Sequence, residues 1–315
     1  MYQIRIGCQL NYFVPVTTPS VFIVQPPPHP RQLLSRETFE ASGAAVTGTY
    51  VDGFGNRCQR VSLATGEAII RYDAVAMVPP EADAFRPEAR AIPPQDLPSE
   101  LLRFTLPSRY AETDELLGFA WERFAKVPPG WERARAICEW THRHVEYRPG
   151  SSAPDWSAAD VIARRQGVCR DRAHVVVALC RAFNMPARYA VSYLPDIDVP
   201  DDGATMDFHA YAEVWLDGSW HVFDPHGLQP RKGRIFIASG LDAADAAFAT
   251  LYGAAALNKL RVWADPVTAA AATISATAAP PVSERSTPVA PAASMPPPAP
   301  FLTPASSPPA QAFLS

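Results

Sequence analysis

Proline placement limits this chain more than any motif does. Proline has no backbone N–H and holds φ at about −65°, so a cluster of prolines marks a place where neither a helix nor an inner strand can run. There are 34 prolines in 315 residues, and they are unevenly spread. The final fifty positions, 266–315, hold 12 prolines and 14 alanines, with Glu284 and Arg285 as the only charges. A segment of that composition buries too little apolar surface to offset its ordering entropy, so a disordered tail is expected there. A second cluster, Pro79, Pro80, Pro87, Pro93, Pro94 and Pro98, separates two stretches of different periodicity. The expected organisation is therefore a β domain over 1–98, a second domain over 105–265, and the tail over 266–315.

Composition narrows the function classes. With 48% apolar and 19% charged residues the chain reads as globular, with length enough for two domains. The formal charge of −4, from 28 basic and 32 acidic side chains, leaves no broad basic face for phosphate contacts, so nucleic acid is not an expected partner. No apolar run reaches the roughly 18 residues that a membrane span requires, and the stretch 1–10 carries Arg5 with too short an apolar segment for a signal sequence. No membrane association and a cytoplasmic location are expected. Cys8, Cys58, Cys138, Cys169 and Cys180 are odd in number, widely spaced and free of any CxxC pair, which points to free thiols and away from a disulfide framework or a zinc ribbon.

Residues 2–10, 21–24, 45–52, 57–63 and 67–78 read as strands separated by turn residues, which suggests a small antiparallel sandwich or barrel. Beyond residue 108 the spacing becomes helical, with Leu116, Leu117, Ala120, Trp121 and Phe124 on one face and Ala134, Ile137, Cys138 and Trp140 on another. Ser157, three residues before Asp160, has the form of a capping box. A long apolar helix runs from Cys169 to about Phe183, and strands are expected over 188–194, 209–216, 219–224 and 234–237. Helices and then a sheet indicate an α+β fold.

Cys169 stands apart from the other thiols because it opens that helix, where unpaired N–H groups and the helix dipole favour a thiolate. Asp217-Gly218 then forms a two-residue hairpin signal. Its register sets residues summing to 435 opposite each other, so that Trp215 faces Trp220 and His209 becomes the diagonal neighbour of Asp224 on one face. A three-residue loop would place His209 and Asp224 on opposite faces. A carboxylate beside an imidazole fixes its tautomer and steadies the imidazolium, as a base serving a nucleophile requires. His221 alternates to the other face, His174 reads as a packing residue, and Asp171 as a cap for the helix start. Arg172 falls about one turn beyond the thiol, where its charge would meet solvent or an acidic group.

The motifs GVCRD (167–171), PARY (186–189), HAYAEV (209–214) and FDP (223–225), with Tyr147-Arg148-Pro149-Gly150-Ser151 before them, resemble the bacterial transglutaminase-like family, a branch of the papain-like thiol enzymes. The resemblance covers most of 105–265, and the preceding β region looks like the N-terminal domain that accompanies many members. It implies a papain-like transglutaminase core, with a helix-start cysteine packed on an antiparallel sheet. It also implies that Cys169 is the nucleophile, His209 the general base and Asp224 the orienting carboxylate, in acyl transfer through a thioester to water or an amine.

The implied partner is a peptide or protein substrate, and no cofactor or metal is expected. Tyr211, His226, Asn184, Arg170 and Arg172 depart from the residues usual in the family, and these departures bear on substrate preference. The alternative reading is a noncatalytic peptide- or protein-binding module that keeps the fold. Neither oligomeric state nor the choice between hydrolysis and transamidation follows from the residues.

Overall fold

The computed structural model describes residues 1–199 and 205–267. The stretch expected to be disordered lies, from 268 onward, outside the described residues. Six strands open the chain: β1 (Tyr2–Val14), β2 (Thr18–Gln25), β3 (Leu33–Ser42), β4 (Ala44–Val51), β5 (Arg57–Leu63) and β6 (Gly66–Val78). Along β6 every second residue is buried, from Ala68 through Ile70, Tyr72, Ala74 and Ala76 to Val78, the period-2 pattern of a strand with one face on a core. Strand β3 was not expected from its sequence. LLSRETFEAS is exposed or half-buried throughout, so it carries no apolar alternation to read.

Past the proline-rich connector come α1 (Leu117–Phe124), α2 (Trp131–His144), β7 (Glu146–Tyr147), α3 (Ala158–Arg164), β8 (Gln166–Gly167) and α4 (Cys169–Arg181). Five further strands are β9 (Ala187–Tyr193), β10 (His209–Leu216), β11 (Ser219–Phe223), β12 (Ile235–Gly240) and β13 (Ala249–Leu251), with β14 (Ala256–Pro266) as the last. The strands form three four-stranded antiparallel sheets, in the orders β14-β1-β6-β3, β13-β2-β5-β4 and β11-β10-β9-β12, plus the two-residue parallel pair β7-β8. This is the α+β architecture that the order of elements implies. No helix among the described residues is long and apolar enough to cross a membrane.

The chain returns to its beginning. Strand β14 pairs with β1 from Ile4–Pro266 to Phe13–Ala256, and β13 pairs with β2, so the last described segment completes the two N-terminal sheets. The cores merge as well. One apolar cluster joins Ile4, Leu10, Phe22 and Ile70 to Tyr193, Phe208, Ala210 and Ile235 of the third sheet and its approach. The Tyr193 hydroxyl donates to the carbonyl of Val24 at 2.8 Å, tying β9 to β2. A second cluster packs Ala134, Ile137 and Cys138 of α2 and Val161 of α3 against Val175, Val176 and Leu179 of α4.

Helix α4 lies between these layers, and every residue from Asp171 to Arg181 is buried. That corrects the expected placement of Arg172 against solvent or an acidic group. Helices cover one side of α4 and the sheet covers the other, so no side remains for solvent. Arg172 donates from Nε to the carbonyl of Val145 and from Nη1 to that of Pro225, each at 3.0 Å, and spends its charge on backbone oxygens at the end of α2 and beyond β11. Arg181 does the same at the far end, reaching the carbonyls of Ala187, Leu106 and Leu241.

Candidate active site

Helix α3 opens with the reciprocal cap its sequence implies: Asp160 N–H donates to Ser157 Oγ at 3.4 Å and Ser157 N–H to Asp160 Oδ2 at 3.2 Å. Arg165 then takes a left-handed conformation, φ 57°, and ends the helix. The short β7-β8 pairing sets the path of the chain into α4, with Glu146 N–H on the carbonyl of Arg165 and Arg148 N–H on that of Gly167. Asp171 folds back to accept the Val168 N–H at 2.8 Å, the capping role expected of it. Gly167 is required beside it, because a Cβ there would stand 2.8 Å from both Cβ and Oδ2 of Asp171. Cys169 is thereby delivered to the first turn of α4.

The β10-β11 hairpin has the two-residue loop. Asp217 (φ 44°) and Gly218 (φ 82°) make the left-handed pair of a tight hairpin turn, and the register runs Leu216–Ser219, Trp215–Trp220, Val214–His221, Glu213–Val222 and Ala212–Phe223. His209 and Asp224 meet as that parity requires, with Nε2 of the imidazole 2.6 Å from Oδ2 of the carboxylate. Trp215 and Trp220 pack edge to face at 5.3 Å, as wall rather than site. His221 lies on the other face, against Ser219 Oγ and the Leu216 carbonyl.

The sulfur of Cys169 lies against the backbone on both sides of His209. Sγ is 3.9 Å from the carbonyl oxygen of Phe208, and the N–H of Ala210 is directed at it. Phe208 is itself wedged between Tyr193 (5.6 Å) and Phe248 (5.3 Å), so the approach to His209 rests on the core shared by both parts of the molecule. The electrostatics of the thiol differ from the sequence expectation. Burial pushes it up to about 12, and the Asp207 and Asp224 carboxylates act in the same direction, against the N–H groups of Ala210 and Arg170. At neutral pH the resting residue is a thiol, because desolvation outweighs the helix start.

Asp224 shows the opposite result. Burial alone would raise its carboxyl, but His209 and Arg234 together hold it well below the usual carboxylate range. Its Oδ2 accepts from His209 and, at 3.0 Å, from Nη2 of Arg234, while Oδ1 accepts the His226 N–H at 3.0 Å. The Arg234 side chain is buried, pairs also with Asp83 at 2.9 Å, and lies 4.1 Å over the Tyr211 ring. Neither Arg234 nor Asp83 stands out in the sequence, and the only signal there is an arginine just before a strand. His226 sets its ring edge-on to His209 at 5.6 Å and to Tyr147 at 4.4 Å.

His174, expected to pack, is fully buried between Tyr110 and Tyr189, with Nε2 accepting the Ala243 N–H at 3.1 Å; burial lowers it to about 3, so it is neutral. A cavity of about 490 Å³ opens behind Asp224, lined by Phe85, Trp131, Glu139 and Leu228 among others. Among the described residues no group of three or more His, Cys, Asp or Glu is placed to hold a metal ion.

Known proteins share this architecture. Residues 121–225 match the transglutaminase-like superfamily. The 1.9 Å crystal structure of a "putative cysteine protease" from Cytophaga hutchinsonii superposes with a TM-score of 0.76 at 31% identity, over 85% of this chain and 91% of that one. Uncharacterised proteins of Mycobacterium leprae (23% identical over 224 residues, 69% of this chain and 80% of theirs) and Mycobacterium tuberculosis (27% over 220, 64% and 70%) are similar over comparable lengths. By matched segment, by shared architecture over nearly the whole described chain, and by sequence identity, this chain belongs to the transglutaminase-like superfamily.

Proposed function

We propose that the protein is a cysteine enzyme in which Cys169, His209 and Asp224 act as nucleophile, general base and orienting carboxylate at peptide-type amide carbonyls. The observation that carries this reading is the buried 2.6 Å contact between His209 Nε2 and Asp224 Oδ2, made on the residue whose flanking backbone touches the Cys169 sulfur. With Nε2 engaged by the carboxylate, Nδ1 is the nitrogen that takes the thiol proton. The sulfur attacks the carbonyl carbon, and the N–H of Cys169, in the first turn of α4 where no intrahelical acceptor exists, faces the developing oxyanion. His209 returns the proton to the leaving amine, and a thioester on Cys169 remains. Water or a second amine then attacks the thioester, giving hydrolysis or transamidation.

Because burial keeps the sulfur protonated at rest, proton transfer to His209 accompanies attack rather than preceding it. The substrate is a peptide or protein, as the neighbouring "putative cysteine protease" suggests for its own fold. Five free cysteines suit a reducing compartment such as the cytoplasm. Incubating the full chain with a peptide library and a primary-amine donor, and then reading the products by mass spectrometry, separates cleavage, deamidation and amine incorporation in one measurement. Products that persist in Cys169→Ala would end this reading.

A further inference from the structure

We infer that Arg234 and Asp83 are positioning residues of this site, arranged so that Asp83 neutralises Arg234 and leaves Asp224 with an uncompensated negative charge for His209. The inference rests on the triad reading but concerns how the positive charge that His209 gains on taking the thiol proton is compensated. Four side chains alternate in sign through a buried row: Asp83, Arg234, Asp224 and His209, with side-chain exposures of 14%, 7%, 6% and 11%. Arg234 Nη2 is nearly equidistant from its two carboxylates, 2.9 Å from Asp83 Oδ2 and 3.0 Å from Asp224 Oδ2. Its Nε adds bonds of 3.2 and 3.1 Å to the two oxygens of Asp83, and Nη1 reaches Ser192 Oγ at 3.4 Å. The guanidinium therefore belongs more to Asp83 than to Asp224.

Charge counting shows what this achieves. An isolated Arg234–Asp224 pair would be neutral, and a buried neutral pair does little to steady a neighbouring imidazolium. With Asp83 added the three groups sum to one negative charge, and protonation of His209 brings the row to zero. The remaining titratable groups that act on the imidazole are Asp207 and Tyr211 along its own strand and approach and His226 from the loop after β11, while Cys169 of α4 lies against the backbone on either side of it. None of them binds Arg234 through a hydrogen bond. Asp83 lies on the connector between the two parts of the chain, and its own N–H donates to the carbonyl of Arg231 at 2.8 Å, so the connector is seated on the loop that carries Arg234.

The test reads His209 directly and needs no substrate, so it is independent of whether turnover is found. In the full chain labelled with ¹⁵N-histidine, the His209 ring signals, assigned by their loss in His209→Gln, are titrated by NMR. Asp83→Asn should lower the His209 midpoint by about one pH unit, since an unneutralised guanidinium then faces the imidazole through Asp224. Asp83→Glu should leave it in place, and Asp83→Asn combined with Arg234→Met should return it close to the wild-type value. An unchanged midpoint in Asp83→Asn, or equal shifts in Asp83→Asn and Asp83→Glu, would overturn the proposal. If the midpoints move as stated while no acyl-transfer product is found, the charge row stands and only the reaction assigned to it fails.

Discussion

The two ends of the site are both sheltered, yet one is held neutral and the other ionised. At the α4 end, Cys169 opens a helix and has the N–H groups of Ala210 and Arg170 beside it, yet burial pushes the thiol up to about 12. At the hairpin end, Asp224 is more deeply buried and is nonetheless held far below its ordinary range, because His209 and Arg234 both face it. Burial does not determine whether a group is ionised; the presence of a countercharge at hydrogen-bond distance does. The lesson is that a helix N-terminus alone is too weak to ionise a desolvated thiol, since its worth is about 0.3–1 kcal/mol in ordinary settings.

Removing each end separately should break the comparison most sharply. Cys169→Ala is expected to reduce acyl transfer by at least about 10³-fold, on the scale of losing a covalent nucleophile, with thermal unfolding nearly unchanged. Asp224→Asn is expected to lower turnover comparably, by about 10²-fold or more, and also to cost about 2 kcal/mol in denaturant unfolding, because a charge-assisted, buried hydrogen-bond set is lost with it. Equal stability of the two variants would contradict the distinction between the ends.

A second measurement sharpens the state of the thiol. Cys8, Cys58, Cys138 and Cys180 are buried while Cys169 is half-buried, so a small alkylating reagent should modify Cys169 first. Its rate should rise about tenfold per pH unit from pH 8 to 11, as expected for a thiol titrating near 12. A rate already level at pH 7 would instead reveal a preformed thiolate–imidazolium pair.

A last expectation concerns His174, where burial and the Arg170 and Arg181 charges outweigh the Asp242 carboxylate. The His174 pKa is lowered from 6.5 to about 3, so the folded state excludes a proton that the unfolded state binds. The stability contributed by neutral His174 is complete above pH 6.5 and is lost as pH falls from there toward 3, at a slope of at most about 1.4 kcal/mol per pH unit. His174→Gln should flatten that acid limb; an unaltered slope between pH 6.5 and 4 would show that His174 is not responsible for it.

How much of this was legible depended on how far apart the interacting residues lie. The Ser157–Asp160 cap, the Gly167 and Asp171 start of α4, and the Asp217-Gly218 turn are each short-range, and each follows from local backbone chemistry. The turn alone determines which face His209 and Asp224 share, so their meeting was readable across 15 positions. Strand β14 was not readable, because its partner β1 lies at the opposite end of the described chain and no local pattern encodes that pairing. Arg172 was misplaced for a related reason: helical periodicity tells which residues share a face, but not how many neighbours will cover the helix.

Short-range turn, cap and motif chemistry encodes the α+β class, the helix that carries Cys169, the hairpin parity that joins His209 to Asp224, and the family resemblance, so all of these can be read from the residues. The charge states arise from folding. It brought Arg234 and Asp83, 151 residues apart, into the row behind Asp224, and it withdrew Cys169 from bulk water. Ionisation of a buried group depends on dielectric and on countercharges arriving from distant segments, and neither exists until the chain has folded.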